Sequence, residues 1–139
     1  MAITVASVEE TRRFGARVAA AAAAGDVFAL EGDLGTGKTE FVRGFVASLA
    51  PKVIVRSPSF SIVNIYHTPA VPVYHFDFYR LNDPSELIEI GFDDYLAGNG
   101  ICLIEWATMF PGALPADTRY LRFTDNGVTR RQIDYDFTL

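Results

Sequence analysis

The sequence predicts an α/β domain of three layers, in which helices cover both faces of a mainly parallel sheet that antiparallel strands extend. Two observations carry this prediction. Short runs of apolar residues without polar alternation, at Val27–Glu31 and 101–104, are typical of central parallel strands that are covered on both faces. Segments with apolar residues at helical spacing alternate with such runs along the chain, which is the order expected of a parallel sheet.

Composition limits the class of protein. The 139 residues suffice for one domain, 1–139, and half of them are hydrophobic, which indicates a globular core. The net charge of −5 disfavours a protein that binds nucleic acid on its own, because most of the affinity for nucleic acid comes from positive side chains that neutralise phosphates. Cys102 is the only cysteine and lies in an apolar run, so we expect core packing in a reducing compartment. With no signal peptide and no membrane-length apolar run, a cytoplasmic protein without membrane association is predicted.

Local signals predict the elements of the first half. Ser7 and Glu10 have the spacing of a capping box, and we expect a helix from there to about Ala24, ended by Gly25. The elements expected next are the strand Val27–Glu31, a helix over 37–49, a short strand at 53–55, and a hairpin of strands 60–66 and 73–79.

The second half carries a further helix start and a turn signal. Asp83 before Pro84 is typical of a helix N-terminus, and that helix should run to about Ile90 and end at Gly91. A two-residue hairpin turn is indicated by Asn126-Gly127. The other elements expected here are a short helix through 94–96, the central strand 101–104, and hairpin strands 120–124 and 131–137.

A phosphate-binding loop is the most specific motif of the chain. Residues 32–39 read GDLGTGKT, between an apolar strand and an amphipathic helix, which is the context that a P-loop requires. Its glycines let successive amides point into one concavity at a helix N-terminus, while Lys38 adds positive charge and the Thr39 hydroxyl is placed to ligate Mg²⁺. The sequence therefore predicts a P-loop NTPase fold that binds a nucleotide. The residues expected to contact it are Leu34, Gly35, Thr36, Gly37, Lys38 and Thr39.

Two carboxylates are candidates for the second half of the site. Glu105 ends the apolar run ICLI, and an acid at such a strand end suits Mg²⁺ binding or the positioning of water, although a surface glutamate is the alternative. Asp77 shares a strand face with His75 and lies near the γ-phosphate in the functional interpretation, or on a merely solvated strand face in the other. A packed or solvent-facing residue is the favoured interpretation of His75.

Five further residues have open interpretations. Ser57 and Ser59 flank a proline after the P-loop helix, where a nucleotide-dependent switch loop would lie, or where a plain Ser-Pro turn would enter a strand. Trp106 follows Glu105 and is either core filler or a residue that covers the nucleotide or faces a partner. Arg130 and Arg131 are interpreted as a solvated strand face, with contact to phosphate or adenine as the alternative.

Taken together, these motifs resemble the TsaE family, small ATPases of bacterial tRNA threonylcarbamoyladenosine biosynthesis. The resemblance covers most of the chain, and the combination with the later motifs is far more specific than the P-loop alone. The matching segments are the EET and Gly15 of the first helix, GDLGTGKTEFVRGF at 32–45, SPSF at 57–60, HFDFYRL at 75–81, residues 86–96 and IEW at 104–106. Ser59 departs from the family's usual threonine, and Ala107 from a frequent proline.

The resemblance implies roles for the matching residues. Residues 35–39 cradle the phosphates of ATP, Thr39 and Glu105 bind Mg²⁺, Asp77 is needed for hydrolysis, and Trp106 matters to function. It also implies a TsaB–TsaD heterodimer as partner, with tRNA reached only indirectly through that partner, and hydrolysis that resets the complex between turnovers.

Two other classes of protein remain open at this stage. A small P-loop kinase would need an arginine-rich lid, and the ten arginines are scattered along the sequence instead. A nucleotide sensor without hydrolysis would signal through the SPSF loop. The sequence leaves the oligomeric state open, and it does not decide whether Asp77 or Glu105 orients the attacking water.

Overall fold

A computed structural model describes residues 1–33, 35–58, 61–127 and 130–139. The strands are β1 (Ala2–Val5), β2 (Val27–Glu31), β3 (Val63–Tyr66), β4 (Val73–Asp77), β5 (Ile101–Glu105), β6 (Arg119–Asp125) and β7 (Arg131–Tyr135). The α-helices are α1 (Val8–Ala21), α2 (Lys38–Leu49), α3 (Ser85–Glu89) and α4 (Phe92–Ala97), and short 3-10 turns occupy Phe78–Arg80, Ala107–Met109 and Pro111–Ala113.

All these strands join in one sheet of order β1-β7-β6-β2-β5-β4-β3. The four central strands β6, β2, β5 and β4 run parallel, whereas β1, β7 and β3 pair antiparallel with their neighbours. The predicted mainly parallel sheet with antiparallel extensions is therefore confirmed.

Helices pack on both faces of the sheet, which confirms the three layers. Alternation along β2 explains this, since Phe28 and Leu30 point into one apolar cluster and Val27 and Ala29 into the other. The first cluster is closed by α1 and α2, and the second by α3 and α4. No helix in the described part of the chain is long and apolar enough to cross a membrane.

Helices α1 and α2 pack backbone to backbone at two glycines. A Cβ atom at Gly15 would overlap the carbonyl oxygen of Phe41, and one at Gly44 would overlap the carbonyl of Arg12. Only glycine allows this approach, and Glu40 reinforces it by forming ion pairs with Arg12 of α1 and Arg43 of α2. The close packing holds the start of α2, and with it the P-loop, against the start of α1.

Several predicted features are confirmed by the structure. Ser7 caps α1 by accepting the amide of Glu10 at 3.1 Å, and Asp83 accepts the amide of Ser85 at 2.8 Å before α3. Gly91 follows α3 with φ of 73°. The predicted hairpins of β3 with β4 and of β6 with β7 both form, and the short helix predicted at 94–96 is the longer α4.

Other local predictions are wrong. Helix α1 ends at Ala21, because Ala22 is extended and the amide of Ala23 turns to the carboxylate of Asp26 at 2.8 Å. Residues 53–55 form no strand. The β4 strand ends at Asp77, where the chain enters a 3-10 turn. Strand β6 ends at Asp125 and β7 begins at Arg131, with the amide of Asn126 donating to the carbonyl of Arg130 at 3.0 Å, so the strands are not joined by the predicted two-residue turn. The strand predicted over 60–66 is shorter, because β3 begins at Val63 and the described residues Ser61 and Ile62 lie outside it, while Phe60 is not among the described residues. Strand β1 was not predicted at all.

Candidate functional site

The P-loop joins β2 to α2 with a backbone that requires glycine. Gly32, Gly35 and Gly37 have φ values of 148°, 79° and 102°, and Gly37 is the N-cap of α2. A Cβ atom at Gly32 would lie 2.5 Å from the carbonyl oxygen of Phe123, so the loop is also pressed against β6. The unpaired amides at this helix start favour an anion, as the motif predicts. The predicted contact of Leu34 lies outside the described residues.

The two predicted carboxylates reach the same edge of the sheet as the P-loop. Strands β2, β5 and β4 are parallel neighbours, with Glu105 opposite Leu30 on one side and opposite Asp77 on the other. Parallel strands bring their carboxyl ends together, which is where open α/β sheets bind ligands. A cavity of about 520 Å³ opens there, and its lining includes Gly35, Gly37, Lys38, Thr39, Ser57, Asp77, Glu105, Trp106 and Arg131.

Lys38 is the buried cation of this cavity. The residue is only 4% exposed, and Nζ donates to the carbonyl oxygen of Gly32 and lies 4.2 Å from the ring centroid of Trp106. Burial lowers the pKa of Lys38, and the carboxylates of Glu105 and Asp77 offset part of that effect. An anionic ligand in the cavity would stabilise the ammonium that burial disfavours.

Glu105 is fixed by a buried histidine. The Glu105 residue is 6% exposed and His75 has no exposed surface, and His75 Nε2 lies 2.6 Å from Glu105 Oε2. His75 Nδ1 has no partner within the described structure. A buried lone pair without a donor costs less than a buried N–H without an acceptor, so the tautomer with the proton on Nε2 is favoured. His75 therefore donates to Glu105 and is neither solvent-facing nor simply packed.

Asp77 is a half-buried carboxylate beside Glu105. Burial raises the pKa of Asp77, and the charge of Glu105 adds to the rise, whereas the amide of Tyr79, which donates to Asp77 at 3.0 Å, and the charge of Lys38 lower it. Because Asp77 is half-buried and lines the cavity, its strand face is not merely solvated. Asp77 and Glu105 both remain in reach of a ligand in the cavity, and the geometry does not choose between them as the group that orients water.

Trp106 has an unusual backbone that places its ring at the cavity. Its φ of 58° and ψ of 34° lie in the left-handed region, which costs a non-glycine residue about 1 kcal/mol. The amide of Trp106 donates to the carbonyl of Leu30 at 3.3 Å, and the ring contacts Tyr79 at 5.0 Å between centroids. The indole packs against the edge of the second apolar cluster and also faces Lys38 at the cavity.

The residues of the cavity fit a magnesium ion that also binds nucleotide phosphates. No group of three His, Cys, Asp or Glu side chains able to hold a metal occurs among the residues with described positions. Mg²⁺ commonly takes only one or two protein oxygens and completes its shell with phosphates and water. The Thr39 hydroxyl and Glu105 carboxylate, both at the cavity, supply such oxygens.

Arg131 belongs to the cavity although the sequence favoured a solvated strand face. Its Nη2 donates to the carbonyl of Gly35 at 3.3 Å, and its Nε pairs with Asp125 at 2.8 Å. The start of α1 also lines the cavity, through its N-cap Ser7 and through Thr11. Ser57 lines the cavity and its switch role stays a prediction, whereas Ser59 lies outside the described residues. No local motif marks Arg131; only the pairing of β7 with β1 and β6 brings it here.

Comparison with known proteins gives one consistent family. The family model described as "Threonylcarbamoyl adenosine biosynthesis protein TsaE" matches residues 5–133. The tRNA threonylcarbamoyladenosine biosynthesis protein TsaE of Bacillus subtilis is 42% identical over 91% of this chain and 79% of its own length. The same protein of Rickettsia typhi is 37% identical over 88% of this chain and 87% of its own length.

A solved structure agrees with these sequence matches. The crystal structure of Bacillus subtilis YdiB is 36% identical and superposes with a TM-score of 0.84 over 97% of this chain and 83% of that chain.

Proposed function

Because the chain belongs to the TsaE family of threonylcarbamoyl adenosine biosynthesis proteins, we propose that it is a magnesium-dependent ATPase of that pathway. The observation that carries the proposal is the convergence of Lys38, Asp77 and Glu105 on one cavity at the mouth of the P-loop. A cation, a metal-binding oxygen and a water-orienting acid are the groups that hydrolysis of a γ-phosphate needs.

The chain's own residues have separable tasks in this mechanism. The amides of the P-loop hold the β- and γ-phosphates, and Lys38 leaves the Gly32 carbonyl to neutralise the charge that develops on the γ-phosphoryl group. Asp77 or Glu105 accepts a hydrogen bond from water and orients it in line with the scissile bond. Thr39 and Glu105 would hold Mg²⁺, which would neutralise further negative charge on the phosphates.

A labelled-ATP assay tests the reaction. Incubation with Mg²⁺ and ATP carrying a γ-phosphate label should release the label as inorganic phosphate, whereas a P-loop kinase would transfer it to an added acceptor. Glu105→Ala should abolish the release. A wild-type protein that binds ATP and releases no phosphate, alone or with its proposed partner, would instead be a nucleotide sensor.

The proposed partner is a TsaB–TsaD heterodimer, and tRNA is reached only through it. The net charge of −5 supports this arrangement, since the chain itself repels nucleic acid. We propose that ATP hydrolysis resets that complex between turnovers, in the cytoplasm. A pull-down with the heterodimer, with and without ATP, tests the association. ATP turnover that is the same with and without the heterodimer would contradict the resetting role.

A further inference from the structure

An apolar groove lies on the face of the sheet that α3 and α4 cover. It has a volume of about 570 Å³ and runs between α3–α4 and the turns at 107–113. Leu87 and Phe92, both almost fully buried, form its floor, and Ile88 and Met109 form its two rims. We call it the α3 groove. It is separate from the nucleotide cavity, with which it shares no lining residue.

The rims of the α3 groove expose more apolar surface than the fold needs. Ile88 is 81% exposed and Met109 is 44% exposed, although buried floor residues lie directly beneath them. A large exposed apolar side chain next to an apolar groove is typical of a surface that binds another molecule. Neither side chain contributes to the hydrophobic clusters on the two faces of the sheet.

The acidity of the protein is concentrated beside this groove. Residues 83–94 contain no lysine or arginine, and their five acids give that segment a formal charge of −5, which equals the net charge of the whole chain. The rest of the chain is therefore formally neutral. The five acids are Asp83, Glu86, Glu89, Asp93 and Asp94.

Charge excludes several occupants of the groove. A second copy of this chain would bring two such acidic segments together, and nucleic acids or anionic membranes would meet the same repulsion. A partner with an apolar side chain surrounded by lysines and arginines would instead fill the groove and pair with the acidic residues beside it. We propose that the α3 groove is the docking site of a protein partner with that surface.

One wall of the groove is tied to the nucleotide cavity. Met109 lies in the 3-10 turn Ala107–Met109, which directly follows Trp106. In that turn, Thr108 donates its amide to Glu31 at 2.9 Å and its hydroxyl to the same carboxylate at 3.0 Å. Glu31 ends β2 at the start of the P-loop, so a partner on this wall contacts a segment anchored to the site of hydrolysis. The inference rests on the proposed function for the identity of that partner, the TsaB–TsaD heterodimer.

Substitution of Ile88 tests the docking site. Ile88→Asn removes the exposed apolar side chain without adding charge, and Ile54→Asn is the matched control, because Ile54 is 71% exposed and lies on the connection after α2. Calorimetric titration of the heterodimer should show Ile88→Asn binding at least about tenfold more weakly than wild type, as for an apolar side chain that the partner buries. Ile54→Asn should bind within about twofold of wild type.

Separate outcomes distinguish the inference from the proposed function. Wild-type binding by Ile88→Asn would overturn the docking site and leave the ATPase and its partner standing. No binding by the wild-type protein, with or without ATP, would overturn the proposed partner and the docking site with it. Sedimentation should find the free protein monomeric, and a self-association lost in Ile88→Asn would assign the groove to a second copy.

The acidic residues beside the groove give a second, independent test. Glu89→Gln with Asp93→Asn removes two negative charges beside the groove and leaves its apolar lining intact. The association rate with the heterodimer should fall severalfold at low salt, and the double variant should respond less to added salt than wild type. An unchanged association rate and salt response would overturn the basic character assigned to the partner.

Discussion

His75 Nε2 and Glu105 Oε2 lie 2.6 Å apart between two neighbouring parallel strands, where neither residue has appreciable exposure to solvent. The contact fixes one oxygen of Glu105, and so aims the carboxylate at the nucleotide cavity that it lines. His75 is thus a positioning residue for an acid to which we assign Mg²⁺ binding. Such partners commonly affect metal affinity about 10- to 100-fold.

Replacement of His75 should lower the affinity of the site for Mg²⁺. We expect His75→Leu to raise the Mg²⁺ concentration needed for half-maximal ATP turnover about tenfold or more. His75→Gln places an amide N–H close to the position of Nε2 and should recover part of the loss, whereas a purely space-filling role would be met equally well by leucine.

Mg²⁺ titrations of turnover, and of the binding of a fluorescent ATP analogue, measure both effects. His67→Leu is the control, because His67 is the other histidine and is exposed. Equal Mg²⁺ requirements for the leucine and glutamine variants would contradict the positioning role.

Lys38 should be indispensable while the other lysine is not. Lys38→Ala removes the cation that contacts the Gly32 carbonyl and lines the cavity, and turnover of ATP should fall by at least about 100-fold, as when one stabilising donor is removed from an active site. Lys52→Ala is the matched control, since Lys52 is exposed after α2. Phosphate release under saturating ATP is the measurement. A Lys38→Ala protein that hydrolyses ATP at the wild-type rate would contradict the mechanism.

Trp106 should report occupancy of the site. It is the only tryptophan of the chain, and the Lys38 ammonium lies 4.2 Å from its ring centroid. Movement of the ammonium onto bound phosphates would remove this cation–π contact, so the tryptophan fluorescence of the wild-type protein should change on addition of Mg²⁺ and ATP.

Lys38→Ala should show an altered emission without ATP and little further change with it. A fluorescence response of equal size in the two proteins would show that the ammonium does not leave the ring on binding.

The parts of the fold that the sequence predicts well are those whose signals are local. Strands β2 and β5 are uninterrupted apolar runs, and the P-loop carries its own glycine pattern, so both ends of the site follow from short windows. Strand β1 was missed because its four residues carry no turn signal. Its place depends on pairing with β7, where Ala2 lies opposite Asp134 at the far end of the chain.

The failure at 53–55 has a different cause. The β-branched residues there favour a strand, but the amide of Val53 closes a turn on Ala50, and the Tyr66 hydroxyl bonds both the amide and the carbonyl of Arg56. Tertiary contacts thus satisfy the backbone near this segment without a neighbouring strand, and β propensity is too dependent on context to foresee this.

The sequence predicts which residues line the cavity better than it predicts the contacts between them. Lys38, Asp77 and Glu105 were correctly placed at one cavity, because a motif and two strand ends define them. The contact of His75 with Glu105 depends on the register of β4 against β5, and that of Arg131 with Gly35 on the C-terminal hairpin. No periodicity or residue spacing in the sequence indicates either contact.

Arg131 should strengthen nucleotide binding. Its guanidinium contacts the Gly35 carbonyl and lines the cavity, so it holds the P-loop and adds positive charge beside bound phosphates. Arg131→Gln should raise the Kd of ATP roughly tenfold, in line with the loss of one charged hydrogen bond. Arg130→Gln is the control, because Arg130 is exposed. Similar Kd values for the two variants in calorimetry would contradict this assignment.

Cys102 should make the protein less stable in alkali through a thiol that burial keeps protonated. It is 1% exposed in β5, and burial raises the pKa of its thiol from 9.0 to about 12. Above about pH 9 the unfolded chain loses this proton while the folded chain keeps it, so the folded state binds more protons and its stability falls as pH rises. The loss from this group is about 1.4 kcal/mol per pH unit.

The sign of this effect can be isolated with one variant. Cys102→Ala leaves a small cavity and lowers the free energy of unfolding at every pH, but it lacks the titrating thiol, so its stability should decline less steeply above about pH 9 than that of wild type. Denaturant unfolding at several pH values gives the change of stability with pH for the wild type and for the variant. The contributions of the other titrating groups cancel in the difference between these two slopes. The native thiol should also resist a thiol reagent that modifies the unfolded chain at once. Parallel slopes and rapid modification of the native protein would mean that β5 opens to solvent, which its place at the centre of the sheet opposes.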